Sequence, residues 1–131
     1  MFSYLLVAFI VMPLIELWLL LQVGAHVGWK STLALVIVTG VTGAWLARAQ
    51  GAQVMREIQR DMANGVMPAP RLIDGAMILV AGVLLITPGL ITDTLGFLLL
   101  LPPVRSQIRV WMRRKLERKL REGTVTFRTR D

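Results

Sequence analysis

Two carboxylates sit where carboxylates are rare. Glu16 lies in FSYLLVAFIVMPLIELWLLL, Phe2 to Leu21, and Asp93 lies in LLITPGLITDTLGFLLLLPP, Leu84 to Pro103. An acid in an apolar run suits one of three tasks: handling a proton or an ion, bonding another buried polar group, or capping a helix end. Asp93 follows a helix breaker. Pro88 has no N–H to donate and clashes with the preceding turn, so a helix running from about Asp74 kinks or ends near Thr87. Gly89 is free to take a positive φ. Thr92 or Asp93 can then restart the helix by accepting hydrogen bonds from its first-turn N–H groups, where a carboxylate also meets the positive end of the helix dipole. The cap is therefore the leading reading of Asp93, ahead of ion or proton handling. For Glu16 the leading reading is a polar contact to another span or to the surroundings of Asp93. Snorkelling to the interface and a proton-linked site come behind it.

Other chemistry has little to work with. The chain has no cysteine, which removes disulfides, thiol nucleophiles and thiolate metal sites. His26 is a lone imidazole with no further ligand near it in sequence, so a solvated or capping role is expected rather than a metal. No nucleophile–base pair and no phosphate loop can be read. The expectation is a non-enzyme with no cofactor and no metal.

The elements that must position the acids are hydrophobic blocks. Of 131 residues 55% are apolar and 18% charged, against about 25% charged in soluble domains. Mean hydropathy is +0.62. The first block, about residues 2–22, spans a ~30 Å hydrocarbon core as helix. Its thirteen Leu, Ile, Phe and Val residues outweigh one off-centre acid costing about 3 kcal/mol. It has no basic n-region and is too long for a signal-peptide core, so it is expected to be retained. A short link, QVGAHVGWK, carries Trp29 as an interfacial anchor. The second block, 31–47, is uncharged. Gly40, Gly43, Ala44 and Ala47 form small-xxx-small pairs that let a neighbouring helix approach.

A polar segment follows, with Val54, Met55, Ile58 and Met62 on one side at helical spacing. It reads as an amphipathic surface helix over about 50–64, stopped by Asn64-Gly65 and by Pro68 and Pro70. The third hydrophobic block, 72–101, is too long for one straight span and too short for two. After Pro102-Pro103, Val104, Ile108, Met112, Leu116 and Leu120 repeat at i, i+4 on an otherwise basic helix of about eighteen residues. The residues from Glu122 on are expected to fray. The fold class is thus an all-α membrane protein: two transmembrane helices, a broken or re-entrant third segment and a basic amphipathic C-terminal helix. Residues 1–103 form the membrane domain and 104–131 a cytoplasmic tail.

Charge speaks to topology. Val104 to Arg121 holds eight Lys/Arg against one Glu, a net +7 that equals the excess of the whole chain. If block three spans once, eleven Lys/Arg lie inside and four outside. If it returns as a hairpin turning at Pro88–Asp93, fourteen lie inside and one, Lys30, outside. The positive-inside rule favours the hairpin. Arg48 sits where a cytoplasmic boundary charge belongs, with a hydrogen bond to the break as the sharper reading. Arg105, Arg109, Arg113, Arg114, Lys115, Arg118, Lys119 and Arg121 are expected to face anionic head groups or a partner. Nucleic acid is not expected, for no recognition motif accompanies the charges. A homo-oligomer is compatible with the glycine face.

One pattern is more specific. Pro88-Gly89, Thr92-Asp93, Gly96 and the run Leu98 to Pro103 together resemble the signature of the FxsA family of small bacterial inner-membrane proteins. Glu16, Gln22 with His26, and Arg48-x-Gln50-Gly51 match as well. The resemblance covers roughly Leu14 to Arg105 and leaves out the basic tail, where the family has a Gly-rich tail of mixed charge. It implies a multi-pass protein of the cytoplasmic membrane without enzymatic activity. It also implies a role in relieving phage exclusion by sequestering a plasmid-encoded protein. The alternative, of another class, is a small transport or permeation subunit using Glu16 and Asp93.

Overall fold

The computed structural model describes residues 1–124, which form five helices: α1 Phe2–Val27, α2 Trp29–Ala63, α3 Ala69–Ile86, α4 Leu90–Leu100 and α5 Pro102–Thr124. α1, α2 and α3 are long and apolar enough to cross a membrane, while α4 is apolar but shorter. The part of the expected frayed end over 125–131 lies outside the described residues.

The expected nine-residue link between the first two spans is one residue. Gly28 stands at φ 92°, a value that side-chain-bearing residues rarely take, so it reverses the chain alone. His26 Nδ1 lies 2.8 Å from Gln22 O, one turn back in α1. Lys30 lies over the Trp29 ring, 5.7 Å from its centroid.

The second span and the surface helix, expected as separate elements, are a single helix of 35 residues, about 52 Å long. Nothing at the junction stops it: Ala47, Arg48, Ala49 and Gln50 are good helix formers and no proline intervenes. It ends where the sequence implied. Gly65, at φ 70°, donates its N–H to Met62 O, and the Val66 N–H reaches Asp61 O. Arg71 then staples the turn, bonding Asp61 at 2.8 Å and pairing with Glu57. The Asp61 hydrogen bond, helped by Glu57, holds the Arg71 guanidinium above its ordinary range.

α3 runs back along α2 in a register that glycines record. Val54 lies against Gly75, Gly51 against Ile78, Ala47 against Gly82 and Gly43 against Leu85. The chain then breaks at Thr87-Pro88-Gly89, and α4 returns along α3, with Gly96 against Ala81 and Leu85. α3 and α4 are thus an antiparallel hairpin. Leu85 is its knob: 2% exposed, it fills the space left by Gly43 of α2 and Gly96 of α4. A Cβ on Gly43 would stand 2.6 Å from Leu85 Cδ2, and one on Gly96 2.7 Å from Leu85 Cγ. The core cluster is Val54, Ile78, Ala81, Leu85 and Leu100. Of the four small residues read as a packing face, Gly40, Gly43 and Ala47 face α3, whereas Ala44 is exposed. Gly43→Ala is expected to cost about 2 kcal/mol by overpacking, measured by SDS–detergent unfolding. Unchanged stability would disprove the knob.

α5 spans 23 residues, more than the eighteen expected. Its first turns pack on α3 and α4.

Candidate functional site: a polar centre at the chain break

The first turn of α4 needs acceptors for its free N–H groups. Its cap position is Gly89, which has no side chain to offer. The cap comes from α1 instead. Glu16, 3% exposed, accepts the Ile91 N–H on Oε2 at 3.1 Å and the Thr92 N–H on Oε1 at 2.6 Å. Both carboxylate oxygens thus close backbone groups about 75 positions away in sequence. The dipole at that helix end favours the same placement. Glu16 reaches in because Gly89 leaves room: a Cβ there would collide with Glu16 Cδ and stand 2.6 Å from Thr92 Oγ1. The role of Gly89 is close approach, for its φ of −177° is open to any residue. Thr92 Oγ1 donates across the break to Thr87 O at 3.2 Å.

The expectation that Thr92 or Asp93 caps α4 is therefore corrected. Neither makes a side-chain cap bond. Thr92 is a backbone donor to Glu16, and Asp93 points to α2. There Thr39 Oγ1 lies 2.8 Å from Asp93 Oδ2, within reach also of Leu35 O and Val36 O. A hydroxyl has one proton to give among these three acceptors. Asp93 is 7% exposed, and its Oδ1 has no hydrogen-bond partner among the described residues. A cavity of about 130 Å³ lies beside it, lined by Thr39, Leu20, Val36, Leu90 and Phe97 among others.

Gly89→Ala is expected to push Glu16 off α4 at about 2 kcal/mol. Combined with Glu16→Gln its effect should be much less than additive, because both act on one contact. Full additivity in the unfolding titration would separate them.

A second buried polar group closes the other end of the hairpin. Arg105 donates to Leu100 O at 3.0 Å and to Gln50 Oε1, and its Nε faces Asp74 Oδ1 at 4.0 Å. Those last two atoms have no other partner among the described residues. Arg109 bonds Asp74 Oδ2 at 3.1 Å. Arg105 and Arg109 were expected on a face turned to lipid or a partner. That is corrected: Arg105 is buried and Arg109 half-buried, because α5 leaves Pro102 against α3 and brings its first two turns over Asp74. Arg113, Arg114, Lys115, Arg118, Lys119 and Arg121 are exposed, with Arg113 bonded to Glu117. Arg48 is exposed on α2, without the bond to the break, and Gln50 accepts from Arg105 at the other end of the hairpin.

Sequence reasoning missed Thr39, Asp74 and the buried role of Arg105. Thr39 looked like an ordinary helix-face threonine. Asp74 did carry a signal, as an acid opening an apolar helix with a basic segment downstream.

These features define a class: a helical, multi-pass membrane protein whose interior acids fasten a broken helix to its neighbours. Within it, the chain belongs to the FxsA family: the family model, described as FxsA cytoplasmic membrane protein, matches residues 7–115. The match runs ten residues further into α5 than the motif resemblance. UPF0716 protein YtzA of Bacillus subtilis is 39% identical over 103 residues, 79% of this chain and 81% of that protein. UPF0716 protein FxsA of Escherichia coli is 44% identical over 96 residues, 73% of this chain but only 61% of its own length. The Serratia marcescens protein of that name is 38% identical over 94 residues, 72% of this chain and 68% of that protein. No solved structure matches the chain.

Proposed function

We propose that the protein is a non-catalytic retention protein of the cytoplasmic membrane, which holds a protein partner at the cytoplasmic face. α1 and α2 cross the bilayer, and the α3–α4 hairpin enters from the cytoplasmic side and returns to it. The far end of α2 and the helix α5 stand in the cytoplasm, facing the partner and anionic head groups. Sequestering a phage-exclusion protein is the role that the family resemblance implies. One observation carries this reading: both oxygens of Glu16 are occupied by backbone N–H groups of α4. The most buried acid is thereby committed to architecture, and the basic exposed surface is left for recognition.

Depth supports the hairpin. Thr39, bonded to Asp93, lies ten residues from Trp29 and nine from Arg48 on α2, about 15 Å from either boundary. The break therefore lies near mid-bilayer, where loose backbone is tolerated only when protein covers it. The charge balance of fourteen against one agrees.

Because the chain has no cysteine, single cysteines test topology cleanly. Gln59→Cys and Arg114→Cys are both expected to resist a membrane-impermeant maleimide in intact cells and to react after permeabilisation. Labelling of Gln59→Cys from outside would overturn the hairpin. Affinity capture from native membranes, with the full chain and with a form lacking residues 113–131, tests retention. Identical captured sets would remove the tail from the reading.

The cavity beside the unpartnered Asp93 Oδ1 favours a second reading, a small permeation subunit. That reading requires an ion or proton flux in vesicles which Asp93→Asn and Glu16→Gln both abolish. Such a result would overturn the retention reading.

A further inference from the structure

A larger cavity, about 810 Å³, lies between the start of α3 and the outer face of α5. This size falls within the range of small-molecule sites. Its floor is apolar, formed by Ile73 of α3 with Val110, Met112 and Leu116 of α5. Its walls carry four cations, of which Arg109 is paired with Asp74 and Arg113 with Glu117, while among the described residues Lys115 and Lys119 have no acid beside them and no carboxylate lines the cavity. Lys115 stands over the Trp111 ring, 4.8 Å from the centroid.

The position is as telling as the lining. Gly75 lies against Val54, six residues past Arg48 on α2, so the start of α3 stands at head-group level. The floor does not end there. Val80, seven residues after Ile73 and on the same side of α3, is half exposed. The groove thus opens onto the apolar flank of the bundle. A water-soluble anion would match the walls and waste the floor. An amphipathic helix from a protein would need acids to meet Lys115 and Lys119 and would then follow α3 into the hydrocarbon.

We propose that this groove holds one anionic phospholipid, its phosphate between Lys115 and Lys119 and one acyl chain along Ile73 toward Val80. The proposal rests on the reading of α5 as a helix at the membrane surface, and it sharpens a diffuse attraction into a site of one lipid.

The test uses the full chain in mild detergent, titrated with phosphatidylglycerol, phosphatidylcholine or glycerol phosphate and followed by native mass spectrometry. One tightly held phosphatidylglycerol is expected, with phosphatidylcholine and glycerol phosphate at least tenfold weaker. Each surface cation near anionic lipid contributes about fivefold in affinity. Lys115→Gln with Lys119→Gln should therefore weaken binding roughly 25-fold. Arg114→Gln with Arg118→Gln removes equal charge from the same helix outside the groove, and should leave the single tight lipid in place. Equal losses in the two pairs would overturn the groove while keeping α5 on the membrane surface. No preference for phosphatidylglycerol over phosphatidylcholine would overturn both. Glycerol phosphate binding as tightly as the lipid would overturn the acyl-chain part, and so would an Ile73→Trp variant, filling the floor, that binds as before. Displacement of the lipid by a captured protein helix at equal affinity would reassign the groove to a protein.

Discussion

Glu16→Gln is expected to destabilise the protein by about 3 kcal/mol, while Asp93→Asn is expected to cost less than about 1. The two changes look alike on paper: each swaps a buried carboxylate for its isosteric amide. The difference lies in what each side chain does. Glu16 accepts two backbone N–H groups, one on each oxygen. Glutamine offers one acceptor oxygen and one donor NH2. Whichever way it turns, an N–H of α4 faces another N–H. A hydrogen bond to a charged acceptor is worth about 1.5–3 kcal/mol, and a buried donor left without one adds a further penalty. Asp93 meets a hydroxyl instead, and a hydroxyl both gives and takes. With asparagine at 93, the amide donates to Thr39 Oγ1 and Thr39 donates to Leu35 O, 2.9 Å away. Glu16→Asp should not rescue, being one methylene too short to bridge from α1. The measurement is unfolding free energy in an SDS–detergent titration. Equal and small costs for the two amides would remove Glu16 as the cap.

The second large effect is expected at Asp74 and Arg105. Arg105→Ala should cost about 2–3 kcal/mol, because it leaves Leu100 O and Gln50 facing a buried gap while Asp74 keeps only Arg109. Asp74→Ala should cost about as much for the converse reason. The double change Asp74→Leu with Arg105→Met should recover most of the loss, since an apolar pair avoids the desolvation that two charges suffer. Arg109, bonded to Asp74 but a third exposed on its side chain, can turn to water in that variant. A double variant as unstable as the single ones would mean the pair is not a closed unit.

How legible was this in the sequence? The break itself was plain: Pro88-Gly89 interrupts an apolar run and an acid follows within one turn. The membrane class followed equally directly from block length and charge placement. Which residue caps the restarted helix was not legible. Local reasoning gives a helix start to the nearest side chain able to accept, which nominated Thr92 and Asp93. The residue that does it lies in another helix, and only packing could bring it there. What pointed toward it is Glu16, read as a polar contact to another span or to the surroundings of Asp93, together with Gly89, a cap position without a side chain. The fusion of the second span with the surface helix was missed because polarity changes at Arg48. A helix does not stop where polarity changes; it stops where a residue breaks it. Arg105 was misassigned for a related reason. It belongs by composition to a run of eight cations, but by position it is still within one turn of Pro102-Pro103, where α5 leans on α3.

The hairpin's limited reach has a mechanical consequence. At the level of Gly43 four helical segments lie side by side, α1 to α4, whereas at the level of Thr32 only α1 and α2 remain. The bundle is a wedge, four helical segments broad at one end and two at the other. With the α3–α4 hairpin seated in one leaflet as proposed, each copy would displace more lipid on the broad side, and a dense array of copies would bend the sheet around it. The same shape would make the protein gather where the membrane already curves.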